Sequence, residues 1–214
     1  MWKGFWAALI LVAGVGRAQQ WEVGAVGGYG FTPSLTVKAP SGSASTGFNN
    51  GAAYGAFLGN DSNEHWSGEA RYLYRQSDLN LSSSSTSVDF AGHTQFMTAD
   101  VLGHLTRRSS RIRPFFAVGG GLKIINGTGA ESAAQPLGNI AALTHTMEFH
   151  PVGDVGAGVK IALSRNVRLR LEVRDYISPS PSKVITPVPG ATMGAWMNDI
   201  QAMVSLSYAF GNAR

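Results

Sequence analysis

Along most of the chain, apolar and polar side chains alternate residue by residue, the period of two that puts every second side chain on one face of a strand. Eight segments carry the pattern. Trp21, Val23, Ala25, Gly27, Tyr29 and Phe31 share a face in the first, against Glu22, Gly24 and Gly28. Phe48, Ala52, Tyr54, Ala56 and Leu58 do so in the second, and Trp66, Ala70, Tyr72 and Tyr74 in the third, opposite Glu69, Arg71 and Arg75. The fourth, Ser85 to Leu105, changes phase: Met97, Ala99, Val101 and Leu105 hold one face, Val88 and Phe90 the other. If the apolar face is continuous, a β-bulge is expected near Thr94 or Gln95, because one extra residue flips the facing.

Ile112, Phe116, Val118, Leu122 and Ile124 mark the fifth segment, against Arg113 and Lys123. In the sixth, Met147, Phe149, Val155, Ala157, Val159, Ile161 and Leu163 oppose Glu148, His150, Asp154 and Lys160. In the seventh, Val167, Leu169, Leu171, Val173 and Ile177 oppose Arg168, Arg170, Glu172, Arg174 and Tyr176. The eighth sets Ile200, Ala202, Val204, Leu206, Tyr208 and Phe210 against Gln201, Ser205 and Ser207. Short connections follow the second, fourth and sixth segments (59–63, 106–111, 164–166). Long ones follow the first, third, fifth and seventh (32–46, 77–84, 126–144, 179–197).

Alternation alone fits a soluble sandwich or lipocalin-like barrel with its apolar face inward. Three features favour the reverse. Aromatic residues gather towards the segment ends, as a girdle at each membrane interface requires. The polar faces hold Gly, Ser and charges of both signs, which suits a narrow interior. The sorting of short and long connections matches periplasmic turns and extracellular loops. An antiparallel up-and-down barrel of eight strands pairs every backbone group and leaves no open edge, as lipid demands. Its interior is just wide enough for side chains to fill. Glu69, Arg71, Arg75, Lys160, Arg168, Arg170, Glu172 and Arg174 are therefore expected to meet inside as an ionic plug, since buried charges must pair.

The 214 residues suit one domain. Lys3 followed by the apolar run from Phe5 to Gly16 and by Gly16-Arg17-Ala18 reads as a cleaved signal peptide, residues 1–18, with the barrel over 19–214. The absence of cysteine excludes disulfides and thiolate metal sites. The formal charge of +4 is not gathered into a run that could neutralise successive phosphates, so no nucleic-acid partner is expected.

The stretches RPFFAVGGGLKI (113–124), GDVGAGVKIALSRNVRLRLEVRDY (153–176) and VSLSYAF (204–210) resemble the superfamily of outer-membrane barrels that includes the OmpA-type transmembrane domain, OmpX and the opacity proteins. That resemblance implies residence in the outer membrane among its lipids and lipopolysaccharide. It also implies delivery by periplasmic chaperones and the barrel-assembly machinery, with Tyr208 and Phe210 as the aromatics of the assembly signal. Ser205 stands where such signals usually have glycine, and four residues follow Phe210. The separate peptidoglycan-binding domain of full-length OmpA-type proteins is not expected in this chain.

Candidate chemistry is sparse, and no catalytic, cofactor-binding or metal-binding residues are expected. Of the five histidines, His65, His93, His104, His145 and His150, the last two lie near Glu148, but in a strand Glu148 and His150 share a face while His145 points opposite, which leaves too few converging ligands for a metal. A lipid A deacylase, also an eight-stranded barrel, would resemble this chain in fold but needs a His-x-Ser pair. Here the matching triplets are His93-Thr94-Gln95, His104-Leu105-Thr106 and His145-Thr146-Met147. Gly119-Gly120-Gly121 precedes no helix and is read as room for aromatic neighbours. Asp100 and Asp175 are read as interfacial. The expected function is a non-enzymatic barrel that presents surface loops, with a role in envelope integrity or adhesion; a narrow diffusion channel is the alternative, and a lipid-modifying enzyme a third.

Overall fold

A computed structural model describes residues 20–83, 86–130 and 135–211; the expected signal segment lies outside them. Among the described residues there are fourteen strands: β1 (Gln20–Phe31), β2 (Leu35–Ala39), β3 (Gly42–Phe48), β4 (Gly51–Asp61), β5 (Trp66–Gln76), β6 (Leu79–Ser83), β7 (Thr86–Phe90), β8 (Gly92–His104), β9 (Ile112–Gly127), β10 (Ala141–Leu143), β11 (Met147–Ala162), β12 (Val167–Pro179), β13 (Ile185–Pro187) and β14 (Trp196–Gly211). Eight of them, β1, β4, β5, β8, β9, β11, β12 and β14, close a barrel in which each pairs antiparallel with its neighbours and β14 returns to β1.

Registry fixes the barrel's dimensions. Following Cα partners once round, from Gln20 through Asp61, Ser67, Leu102, Ala117, Gly156, Arg174 and Gln201, leads back to β1 at Gly30, ten residues further along. With a rise of about 3.3 Å and a strand spacing of about 4.8 Å, that stagger tilts the strands by roughly 41° and gives a backbone radius of roughly 8 Å. Such a barrel has room for side chains and little else.

The alternation faces outward with its apolar half. Leu171 and Val173 expose 45% and 53% of their surface, while Arg170 and Glu172, which alternate with them, expose 0% and 4%. A protein folded in water would not spend its greasy face on the outside and bury its arginines; lipid is the solvent this surface fits. Trp66 and Phe116 pack edge-to-face at 6.0 Å near the short-turn end, where Trp21, Tyr208 and Phe210 also lie on the outer face. At the other end Tyr29 and Phe31 pair at 5.3 Å and Tyr54 and Tyr74 at 5.1 Å. These are the two aromatic girdles.

Three sequence expectations are corrected. No bulge interrupts β8: its partners on β5 and β9 keep one register from end to end. The even-numbered residues of β8 point inward throughout, Phe96 and Leu102 among them because the interior contains apolar layers as well as ionic ones, while Val88 and Phe90 belong to β7 in the outer head and set no phase for β8. Phe48 does not belong to the lipid face of the second barrel strand; it ends β3 and is buried. The long connections are not plain loops. β2, β3, β6 and β7 form a four-stranded sheet in the order β2-β3-β6-β7, and β10 pairs with β13. Lys38 bridges to Thr192, tying the first connection to the fourth.

This outer head has its own core. Val37, Phe48, Leu79, Leu81, Phe90, Ile125, Leu143, Val184 and Ile185 pack together, several with no exposure at all. Asn80 and Asn49 donate to the Asp89 carboxylate at 2.8 and 2.9 Å and hold it below the usual carboxylate range.

Candidate functional site: the filled barrel interior

Inward side chains stack in layers along the axis. At the short-turn end, Glu22 accepts from Lys160 Nζ at 2.8 Å, Arg168 Nη1 at 3.3 Å and Ser207 Oγ at 2.7 Å. Asp61 accepts from Arg113 Nη1 at 3.0 Å and Arg168 Nη1 at 3.4 Å, and Arg168 Nη2 reaches Gln20 Oε1 at 2.5 Å.

The middle layer is the densest. Glu69 receives Arg170 Nη1 at 2.6 Å, Arg71 Nη2 at 2.8 Å and Arg174 Nη2 at 3.1 Å. Glu172 receives Arg71 Nη2 at 2.7 Å and Arg174 Nε at 3.1 Å. Arg174 Nη1 also meets Asp100 at 2.6 Å and Asp154 at 3.0 Å, so one guanidinium serves four carboxylates. Arg170 lies 4.1 Å over the Phe57 ring, adding a cation–π contact.

Above this layer an apolar septum crosses the lumen: Val26, Ala53, Leu73, Phe96, Val152, Tyr176 and Met203, with the Phe96 and Tyr176 rings 4.6 Å apart. Beyond the septum a third polar cluster centres on Asp199, which binds Lys123 Nζ at 3.0 Å and pairs with Arg75; Arg75 Nη1 donates to Thr32 Oγ1 at 2.7 Å. The core of the outer head closes the far end.

The eight charges read from the sequence thus fall into three groups. Glu69, Arg71, Arg170, Glu172 and Arg174 share the middle layer, Lys160 and Arg168 belong to the short-turn layer, and Arg75 sits alone of them beyond the septum. The interior also takes in Glu22, Arg113, Lys123 and Asp154, which the alternation puts on the polar faces without joining them to the plug, and Asp61, Asp100 and Asp199, which it does not place there. A signal existed: six cations against two carboxylates cannot be buried together, so further inward acids were required. Asp100 is not interfacial; it is 4% exposed and bound to Arg174, whereas Asp175 lies on the outer face and accepts from Asn198 Nδ2 at 2.5 Å.

Inward glycines make the space. A Cβ on Gly156 would lie 2.6 Å from Arg174 Cγ, and one on Gly119 would collide with the Asp100 carboxylate. Gly119 therefore serves the ionic layer and is not there to receive an aromatic ring.

Ser67, His104 and Asp61 converge in the short-turn layer, with His104 Nε2 2.8 Å from Ser67 Oγ. The wiring differs from a nucleophile relay. Ser67 donates its hydroxyl to Asp61, and His104 Nδ1 has no hydrogen-bond partner that would orient the ring as a base. At the outer end, Glu148 is held by backbone N–H groups of Ser182, Lys183 and Val184 at 3.0–3.2 Å, with His150 Nε2 3.0 Å away but not hydrogen-bonded to it. That carboxylate latches the β12–β14 connection onto β11. Among the described residues, no three His, Asp or Glu side chains group as metal ligands would. Tyr208 and Phe210 lie on the outer face of β14, with Phe210 paired to Trp21.

Comparison with known proteins agrees with this architecture. No match was found among curated proteins. The structure is similar to that of Neisserial surface protein A (NspA), with a TM-score of 0.55 at 11% identity over 90% of this chain and 97% of that one. It is also similar to the N-terminal β-barrel domain of Pseudomonas aeruginosa OprF, with a TM-score of 0.49 at 13% identity over 89% and 97%. A family model for the outer membrane protein β-barrel domain matches residues 5–210. The inside-out polarity, the closed eight-strand barrel and that match agree: the chain belongs to the outer membrane protein β-barrel family and resides in the outer membrane.

Proposed function

We propose that this protein is a non-enzymatic barrel that anchors an ordered extracellular head and serves adhesion or envelope integrity through it. The observation that carries this reading is the filled lumen: three ionic clusters, an apolar septum and an apolar cap succeed one another along the axis. A solute would have to break a salt-bridged layer and then cross the septum, so a diffusion pathway is the weaker reading. A hydrolytic role lacks support because, at the Ser67–His104 contact, the serine donates to Asp61 and no partner orients the histidine.

The head, by contrast, is built to hold a shape. Its paired strands and buried core make a fixed surface in place of floppy loops, and recognition tends to reside on such connections. The apolar belt contacts lipid, lipopolysaccharide surrounds the head, and Tyr208 and Phe210 are proposed to be read during assembly by the barrel-assembly machinery after delivery by periplasmic chaperones. The test replaces residues 35–47 by a short turn and compares cells bearing the parent or the shortened barrel. Loss of attachment or of detergent resistance with the barrel still folded supports the reading. Unchanged phenotypes together with single-channel steps from the parent in planar bilayers would replace it by the channel.

A further inference from the structure

The short-turn end faces the periplasm and holds a cavity of about 360 Å³ at the mouth of the barrel. It lies between the β8–β9 and β11–β12 turns and is floored by inward side chains of β9, β11 and β12. Six cations line it, Arg108, Arg111, Arg113, Lys160, Arg165 and Arg168, against one carboxylate, Glu64. The carboxylates beneath, Glu22 and Asp61, answer only part of that charge, through Lys160, Arg168, Arg113 and Arg108. Two cations stay uncommitted: among the described residues, neither Arg111 nor Arg165 has an acidic partner. The Nε of Arg113, a residue 2% exposed, is buried without a hydrogen-bond partner.

The geometry points to a binding site for a phosphate group at this periplasmic mouth, with Arg111 and Arg165 as its outer donors and Arg113 at its base. Guanidinium forks match a tetrahedral oxyanion because each can give two parallel N–H bonds to adjacent oxygens. A walled cleft of one sign also focuses field lines and raises the local concentration of a small anion. The volume exceeds that of a phosphate ion, which leaves room for the rest of a phosphorylated solute or for a phospholipid headgroup turning in from the inner leaflet. Both sources share the phosphoryl chemistry. Glu64, on the β4–β5 turn, accepts from the Arg108 backbone N–H at 3.0 Å, and repulsion from its carboxylate confines the anion to the opposite, arginine-lined side.

The test uses the folded chain in nanodiscs of zwitterionic lipid, titrated with inorganic phosphate by calorimetry against a chloride background of constant ionic strength. Saturable phosphate binding is expected, weakened at least tenfold by Arg111→Gln with Arg165→Gln. Both side chains stand outside the ionic layers, so the double variant should keep its heat-dependent gel mobility. A second set of nanodiscs contains anionic phospholipid. If the headgroup is the source, those lipids compete and the phosphate heat falls; if a soluble phosphate is the source, it is unchanged. Heats no different from chloride, or equal heats from the parent and the folded double variant, would overturn the site.

Discussion

Arg174 is the side chain on which the ionic interior depends most. Its guanidinium meets Asp100 at 2.6 Å, Asp154 at 3.0 Å, and Glu69 and Glu172 at 3.1 Å each. At an effective dielectric constant of about 20, opposite unit charges about 4 Å apart attract by roughly 4 kcal/mol. Much of that attraction only offsets the cost of taking the ions out of water. Removing one member of such a cluster is therefore the informative perturbation, because it leaves the others buried and unpaired at a net cost of about 3–5 kcal/mol. Arg174→Met keeps the volume and deletes the charge. Glu69 and Glu172 would retain Arg71 and Arg170, but among the described residues Asp100 and Asp154 have no other ion-pair partner. Adding Asp100→Asn and Asp154→Asn to Arg174→Met should then restore most of the loss. The assay is reversible urea unfolding in lipid vesicles, followed by fluorescence of Trp21, Trp66 and Trp196. The reasoning fails if Arg174→Met costs less than about 1 kcal/mol, the range of an exposed pair, or if the triple variant is no more stable than the single one.

Further outcomes follow from the same layering. Val173 lies midway between the girdles on the lipid face, so Val173→Arg should cost about 2–4 kcal/mol in the same unfolding assay. Leu81 is 1% exposed in the head core, and Leu81→Ala should cost about 2–5 kcal/mol locally; limited proteolysis should then cut the head while the barrel strands stay protected. Unboiled protein from an outer-membrane fraction should migrate differently from boiled protein on a gel, and Gly156→Leu, which would drive a side chain into Arg174, should abolish the unboiled band.

The barrel strands were legible because lipid on one side and ions on the other impose opposite demands on successive residues. Leu169 to Arg174 shows this most plainly, since each step reverses the requirement. The outer head was less legible for the same reason. β2, β3, β6 and β7 are short, and their apolar residues turn towards a core above the membrane, so Leu35, Val37, Leu79 and Leu81 break no polar face and read as loop. Val88 and Phe90 misled in a related way. They lie on β7 and pack in the head, so their phase does not bear on the facing of β8, and no bulge is needed to reconcile the two. The acids around the named arginines were visible one at a time, but which strand heights meet across the barrel depends on the ten-residue stagger, and no single segment encodes that.

The absence of cysteine makes a direct measurement straightforward. Single cysteines at 171, 173, 204 and 206, and at the intervening 205, can carry nitroxide labels in nanodiscs, where collisions with oxygen report lipid and collisions with a water-soluble nickel complex report water. Labels at 171, 173, 204 and 206 should collide freely with oxygen and hardly with nickel, while the label at 205 should be shielded from oxygen. The inside-out barrel is contradicted if the four lie buried against one another or collide chiefly with nickel, and position 205 meets the lipid instead.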